Sequence, residues 1–233
     1  MNPEDALRLR ERISGILARL PVGVSLCAVV KSRTPGEIAV AIESGIGLLG
    51  SNYVQETLDL QGRLEREYGA GRDRARWRFI GHLQSNKIRA LAPRVDSVDT
   101  LDRPKIASIL DACAAERGSA YPVLVEVNSG REPQKAGVFP EAIPEFIASL
   151  APFAHLRIEG LMTMGPAGLG GDGLRPYFAQ TRACFEALQS VRQPNLFPTT
   201  LSMGMSDSWE AAIAEGANLV RIGTALFGPR PAA

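Results

Sequence analysis

The sequence predicts an α/β protein: a single-domain, TIM-type (β/α)8 barrel with one extra helix at the N-terminus. Three observations carry this. Short apolar runs rich in β-branched residues alternate strictly with helical patterns, and eight such units run along the chain. The connections are short, and a strand–helix alternation of this kind implies parallel neighbours. The length of 233 residues, with 45% hydrophobic and 22% charged residues, suits one barrel with a large core. An open doubly wound sheet is the alternative for the same alternation.

The first helix covers 3–19, where Leu7, Leu9, Ile13, Ile16, Leu17 and Leu20 recur at near-helical spacing. Strand one, 24–30, is a valine-rich run that stops at Lys31-Ser-Arg-Thr-Pro35. Pro35 opens a helix reaching about Ser44, closed by Gly45. A short strand at 47–50 precedes a helix carrying Glu56, Leu58, Leu60 and Leu64. Strand three is 76–80, and the turn 81–86 leads into a helix ending at Leu91. Strand four is placed at 95–98 and its helix at 103–117. Strand five, 122–127, is followed by a polar loop at 128–137 and a helix at 140–150. Strand six, 156–161, leads to the glycine-rich loop 165–173 and a long helix at 174–191. Strand seven is 199–202 with a helix at 207–215, and strand eight is 218–222. The segment after it is too short for a full outer helix, a gap the N-terminal helix can fill.

Composition excludes several functions. A net charge of +1 provides no field for nucleic acid or an anionic membrane. No stretch approaches the roughly 18 apolar residues of a membrane helix, and the N-terminus lacks a signal-peptide core. The cysteines, Cys27, Cys113 and Cys184, are scattered and odd in number, as expected for a reducing, cytoplasmic setting. His82 and His155 lack metal-ligand spacing, so no metal is expected.

The chemistry-bearing residues fall at strand ends. Cys27, Val29 and Lys31 share one strand face, and burying an ammonium there is costly without a partner. Gly45-Ile-Gly-Leu-Leu-Gly50 matches a dinucleotide fingerprint but closes a helix and becomes a strand, so it reads as structural. A better anion site is Ser202-Met-Gly-Met-Ser-Asp207, with Ser206 or Asp207 as N-cap, together with Arg221-Ile-Gly-Thr224. Barrels often bind phosphate with the loops after strands seven and eight. Closure would set strand one beside strand eight, bringing Lys31, Arg221 and both loops to one mouth. An amine beside a phosphate cradle suggests a phosphorylated aldehyde, with pyridoxal 5′-phosphate (PLP) the obvious candidate. Arg221, if it meets the pyridine nitrogen, disfavours protonation there and mutes carbanion chemistry. Lys135 reads as a solvated loop lysine, His155 as surface, Cys27 as core, and Trp77 and Trp209 as packing anchors. His82 stays open between mouth-lining, loop-ordering and cofactor contact.

Several segments then point to a family. Ala28-Val-Val-Lys31-Ser32, Asn52-Tyr-Val-Gln-Glu56, Phe79-Ile-Gly-His-Leu-Gln-Ser-Asn-Lys87, Leu161-Met-Thr-Met164, Leu201-Ser-Met-Gly-Met-Ser-Asp207 and Val220-Arg-Ile-Gly-Thr224 resemble the pyridoxal phosphate homeostasis protein family. The resemblance runs in order along nearly the whole chain. It implies one PLP-binding domain over 1–233, similar to the N-terminal domain of alanine racemase. It implies PLP as a Schiff base on Lys31, Arg221 at the pyridine nitrogen, and Ser202, Ser206, Gly223 and Thr224 around the phosphate. Asn52 would lie beside the cofactor. One departure stands out: the family's Gly-Glu-Asn reads Gly50-Ser-Asn52 here.

The expected function is a non-enzymatic carrier, with no catalytic residues, that buffers intracellular PLP and delivers it to apo-enzymes. The sequence ends at Ala233, with no β-rich domain to supply an opposing acid or base, and a monomer is expected. The alternatives are a PLP-dependent amino-acid racemase completed by a partner subunit and a PLP-free barrel acting on a sugar phosphate.

Overall fold

The computed structural model describes residues 1–69 and 74–229. Eight parallel strands close into a barrel in chain order. They are β1 Ser25–Val29, β2 Leu48–Ser51, β3 Arg76–Phe79, β4 Ser97–Leu101, β5 Tyr121–Val127, β6 Leu156–Thr163, β7 Leu196–Ser202 and β8 Leu219–Ile222. The helices are α1 Pro3–Leu17, α2 Pro35–Glu43, α3 Val54–Tyr68, α4 Ile88–Leu91, α5 Pro104–Arg117, α6 Ile143–Ser149, α7 Arg175–Leu188, α8 Trp209–Ala214 and α9 Thr224–Phe227. The closed order overturns the open-sheet alternative.

Strand alternation divides the core in two. Ala28, Leu49, Trp77, Phe79, Val98, Val123, Val125, Leu161, Val220 and Ile222 face outward and pack with the helices in one cluster. The alternate positions face inward, where the barrel holds Cys27, Arg78, Asp99, Leu124, Glu126, Met162, Ser202 and Arg221. Gly50 also faces in, and a Cβ there would come within 2.8 Å of the Cys27 sulfur. The glycine motif at 45–50 is therefore structural: Gly45, at φ +95°, ends α2, and Gly50 makes room inside the barrel.

Helix α1 packs against α2 and α9 and fills the gap in the outer ring. Its Leu9, Ile13 and Ile16 are buried, and Arg12 donates from Nε to the Leu226 carbonyl at 2.9 Å. Helix α2 starts sharply because Thr34 and Glu37 form a capping box ahead of Pro35.

The sequence misplaced some boundaries. Strand β4 lies at 97–101, not 95–98. Asp96 sits below it, its carboxylate accepting the Trp77 N–H at 2.7 Å, and polar Asp99 and Thr100 are strand residues. Internal partners make this possible: Asp99 pairs with Arg78, and Thr100 donates to the Gly81 carbonyl at 2.7 Å. Strand β6 runs on to Thr163 and β7 begins at Leu196. Ser208, not Ser206 or Asp207, is the N-cap residue of α8.

Candidate functional site

A cavity of about 610 Å3 opens at the C-terminal mouth of the barrel. Its walls include Lys31, Asn52, Ile80, Ser206, Arg221, Gly223 and Thr224. A second cavity, about 710 Å3, lies among Arg74, Arg76, Asp96 and Arg117 at another part of the molecule and holds none of these residues.

Each wall residue is placed by its strand end. Beyond β1, Val30 still donates to the Gly50 carbonyl at 2.9 Å, so Lys31 leaves the barrel wall directly over the mouth. The Lys31 ammonium sits 4.9 Å from the centroid of the Tyr53 ring. Asn52 follows β2, and its Oδ1 is buried without a hydrogen-bond partner. Gly81 lets the two loops touch, because a Cβ there would lie 2.0 Å from the Asn52 carbonyl oxygen.

Arg221 is 3% exposed and fixed from two sides. Its Nη1 donates to Ser202 Oγ at 2.7 Å and its Nη2 to the Thr163 carbonyl at 2.9 Å. Burial pushes the guanidinium down from its ordinary value, while Asp99, Cys27 and Glu126 oppose that shift. Ser202 is fully buried and does not line the cavity; it orients Arg221 from beneath. Ser206 reaches across instead of capping α8: its Oγ accepts the backbone N–H of Gly223 at 3.2 Å and of Ala225 at 3.1 Å. Two backbone donors thus converge on one hydroxyl beside Thr224.

Other polar and sulfur-bearing residues divide between the cavity wall and the rest of the molecule. His82 is exposed, 3.4 Å from Arg103 Nη2. Lys135 is engaged by Glu132 and donates to the Gly165 carbonyl at 3.1 Å, tying the loops after β5 and β6, so it is not a free solvated lysine. His155 is exposed beside Asp111. Met164 stands on the cavity wall, while Met162 is fully buried. Arg33 lines the cavity, but its guanidinium is engaged by the Gly228 and Pro229 carbonyls and by Glu37.

Sequence reasoning missed the charged layer under the cavity. Asp99 accepts two hydrogen bonds from Arg78, at 2.7 and 2.9 Å. The alternation Arg76-Trp-Arg-Phe79 carried a signal, since Trp77 and Phe79 outside require Arg78 inside. Cys27, in the same layer, is pushed up to about 12 by burial and by Asp99, so it remains a thiol. Ser51, at the departure from the family pattern, is buried with its Oγ unpartnered.

Glu126 is 5% exposed. Burial, then the charge of Asp102, pushes its carboxyl up from 4.5 to about 7, against Arg221 and Arg103. Between those values the folded protein holds a proton that the unfolded chain has released. Stability therefore falls as pH rises through this window and levels off above it. Glu126→Gln is expected to lose less stability than the wild type between about pH 5 and about pH 8, by up to roughly 3 kcal/mol in urea unfolding. Equal losses in both proteins would assign the slope to another group.

The assembled site offers one primary amine, one fixed guanidinium, two converging backbone donors and an orphaned amide oxygen. Such a set fits a ligand with an electrophilic carbon at one end and an anion at the other. Among the described residues no helix is long and apolar enough to cross a membrane, and no cluster of three or more His, Cys, Asp or Glu is placed to hold a metal.

A family model described as the N-terminal domain of alanine racemase matches residues 5–231. A pyridoxal phosphate homeostasis protein of Aquifex aeolicus is 37% identical over 227 residues, spanning 96% of this chain and 96% of its own. The protein of that name from Escherichia coli K12 is 37% identical over 226 residues, spanning 96% and 94%. The solved structure of PipY from Synechococcus elongatus with PLP bound superposes with a TM-score of 0.84 at 34% identity, covering 94% of this chain and 100% of that one. Alanine racemase of Streptomyces lavendulae shares the fold, with a TM-score of 0.77 at 17% identity over 97% of this chain and 58% of that one.

Proposed function

The chain belongs to the pyridoxal phosphate homeostasis protein family, and from that premise we propose that it binds PLP on Lys31, holds it reversibly and releases it to apo-enzymes without turning over a substrate. The observation that carries this reading is the single cavity in which Lys31, Arg221 and the Gly223 and Ala225 N–H groups meet. It is supported by the PLP-bound relative at 34% identity.

When bound, PLP supplies an aldehyde that an amine converts to a C=N linkage with loss of one water, a step that water reverses. The residues divide the other tasks. Lys31 presents the amine. Gly223, Thr224, Ser206 and the Ala225 N–H would hold the phosphate, with the Gly223 and Ala225 N–H groups as backbone donors. Asn52 offers its orphaned Oδ1 to a donor on the ligand. Arg221 would meet the ring nitrogen, and its hydrogen bonds to Ser202 Oγ and the Thr163 carbonyl fix its guanidinium. A guanidinium only donates, so there it would disfavour protonation of that nitrogen and make the ring a weak electron sink. Cys27 contributes no thiolate. These features favour a carrier over a catalyst.

The test is incubation of the PLP-loaded protein with a panel of L- and D-amino acids. The carrier reading expects PLP to be displaced or to exchange, at most once per protein. Multiple turnovers of any amino acid would replace it with a racemase-type or other enzymatic reading.

A further inference from the structure

Two segments of the family pattern, Ala28 to Ser32 and Asn52 to Glu56, meet in space, and binding of the cofactor does not account for that meeting. Ser32 directly follows Lys31 and is one of two non-glycine residues with positive φ among those described, at +58°. An L-residue in this left-handed region is strained unless its surroundings hold it there. The holder is visible: the Ser32 N–H donates to Glu56 Oε1 at 2.5 Å. Glu56 lies in the first turn of α3, and Tyr53, the residue before that helix, lies under the Lys31 ammonium. One helix start therefore grips the lysine segment twice, once at the backbone and once at the side chain.

We propose that Glu56 is a positioning residue for Lys31: by accepting the N–H of Ser32 it fixes the left-handed turn that aims the lysine over the mouth, where Tyr53 holds its ammonium. The grip is on the backbone immediately after the lysine. Relaxing Ser32 toward the β region would swing Lys31 away from the Gly223–Thr224 side of the cavity. A carboxylate suits the task, because a charge-assisted bond to an amide is the stronger kind. Serine at 32 makes the turn dependent on that bond, whereas glycine would adopt it without help.

The inference rests on the Lys31 reading above, and the experiment separates the two. The full chain is loaded with PLP and treated with borohydride, which reduces a C=N linkage to a stable amine, and the trapped fraction is read by mass. Glu56→Asp, which withdraws the acceptor by one methylene, and Glu56→Ala are expected to retain PLP about tenfold less tightly. Both should show a smaller trapped fraction even when saturated, which a purely structural defect at constant occupancy would not give. Glu56→Gln keeps an acceptor oxygen and should recover most of the trapping. In a Ser32→Gly background, Glu56→Ala should have little further effect. If Glu56→Ala fails to fold, Glu56→Asp with and without Ser32→Gly reads the same coupling. Trapping in Glu56→Asp equal to wild type, or an equal loss with and without Ser32→Gly, overturns the role of Glu56 alone. A wild type that is not trapped, or a Lys31→Ala variant that is, overturns the Lys31 reading instead.

Discussion

Lys31→Ala is expected to abolish the borohydride-trappable linkage to PLP and the imine absorption that accompanies it, and to weaken retention on the order of a hundredfold or more. Among the described residues no other lysine lines the cavity. The other cations on the cavity wall, Arg33 and Arg221, are guanidiniums, which do not condense with an aldehyde under ordinary conditions. Lys135 stands outside the cavity, held by Glu132 and the Gly165 carbonyl. Stability should change little, because Lys31 is only partly buried and its contact with the exposed Tyr53 ring is worth about 0.5–1 kcal/mol. Lys31→Arg separates charge from nucleophilicity: it keeps the cation over Tyr53 and should still lose the linkage. Residual PLP in either variant should be displaced by inorganic phosphate if, as proposed, Ser206, Gly223, Thr224 and the Ala225 N–H hold its phosphate. An imine band that persists in Lys31→Ala would move the attachment to another amine.

Lys31 and Arg221 were legible in the sequence for one reason. Each is a cation at the end of an apolar strand, and the eight-unit count set strands one and eight side by side. The register pairs Cys27 with Arg221, which carries out that inference. Glycine and hydroxyl residues mark the two loops in the sequence, and the structure brings Ser206, Gly223 and Thr224 to the same cavity, but the hydroxyl partners were not legible. Ser202 was grouped with the phosphate, although strand alternation next to the outward-facing Leu201 turns it inward to Arg221. Ser206 is expected from sequence as a cap alternative to Asp207 and, by resemblance, beside the phosphate; its observed partners are N–H groups 17 and 19 residues away. Asp99 falls outside the expected strand four at 95–98, whereas β4 runs over Ser97–Leu101 and includes it. Its partner, Arg78, is 21 residues earlier, and only barrel closure brings the two together. Local pattern located the strand ends; it could not say which polar groups closure would pair.

That hidden pair should carry the largest single effect on stability. Asp99 is fully buried, takes Nε and Nη2 of Arg78 at 2.7 and 2.9 Å, and accepts Ser97 Oγ at 3.0 Å. Its charge also acts on Arg221. Asp99→Ala would leave the mostly buried Arg78 and the buried Arg221 in one barrel, with Glu126, pushed up to about 7, and Glu159 as nearby carboxyls. Breaking a buried pair by removing one partner typically costs about 3–5 kcal/mol, and that loss is expected in urea unfolding of Asp99→Ala. Asp99→Asn keeps an acceptor and should lose less. The decisive comparison is Arg78→Met with Asp99→Leu, which removes both charges and fills their volume. If the penalty comes from an uncompensated charge, this double variant should recover most of the stability. It should also retain PLP, because neither residue lines the cavity. A double variant as unstable as Asp99→Ala would instead mean that the strands themselves depend on the hydrogen bonds of the pair. Loss of less than about 1 kcal/mol in Asp99→Ala would mean that water enters the barrel to solvate Arg78.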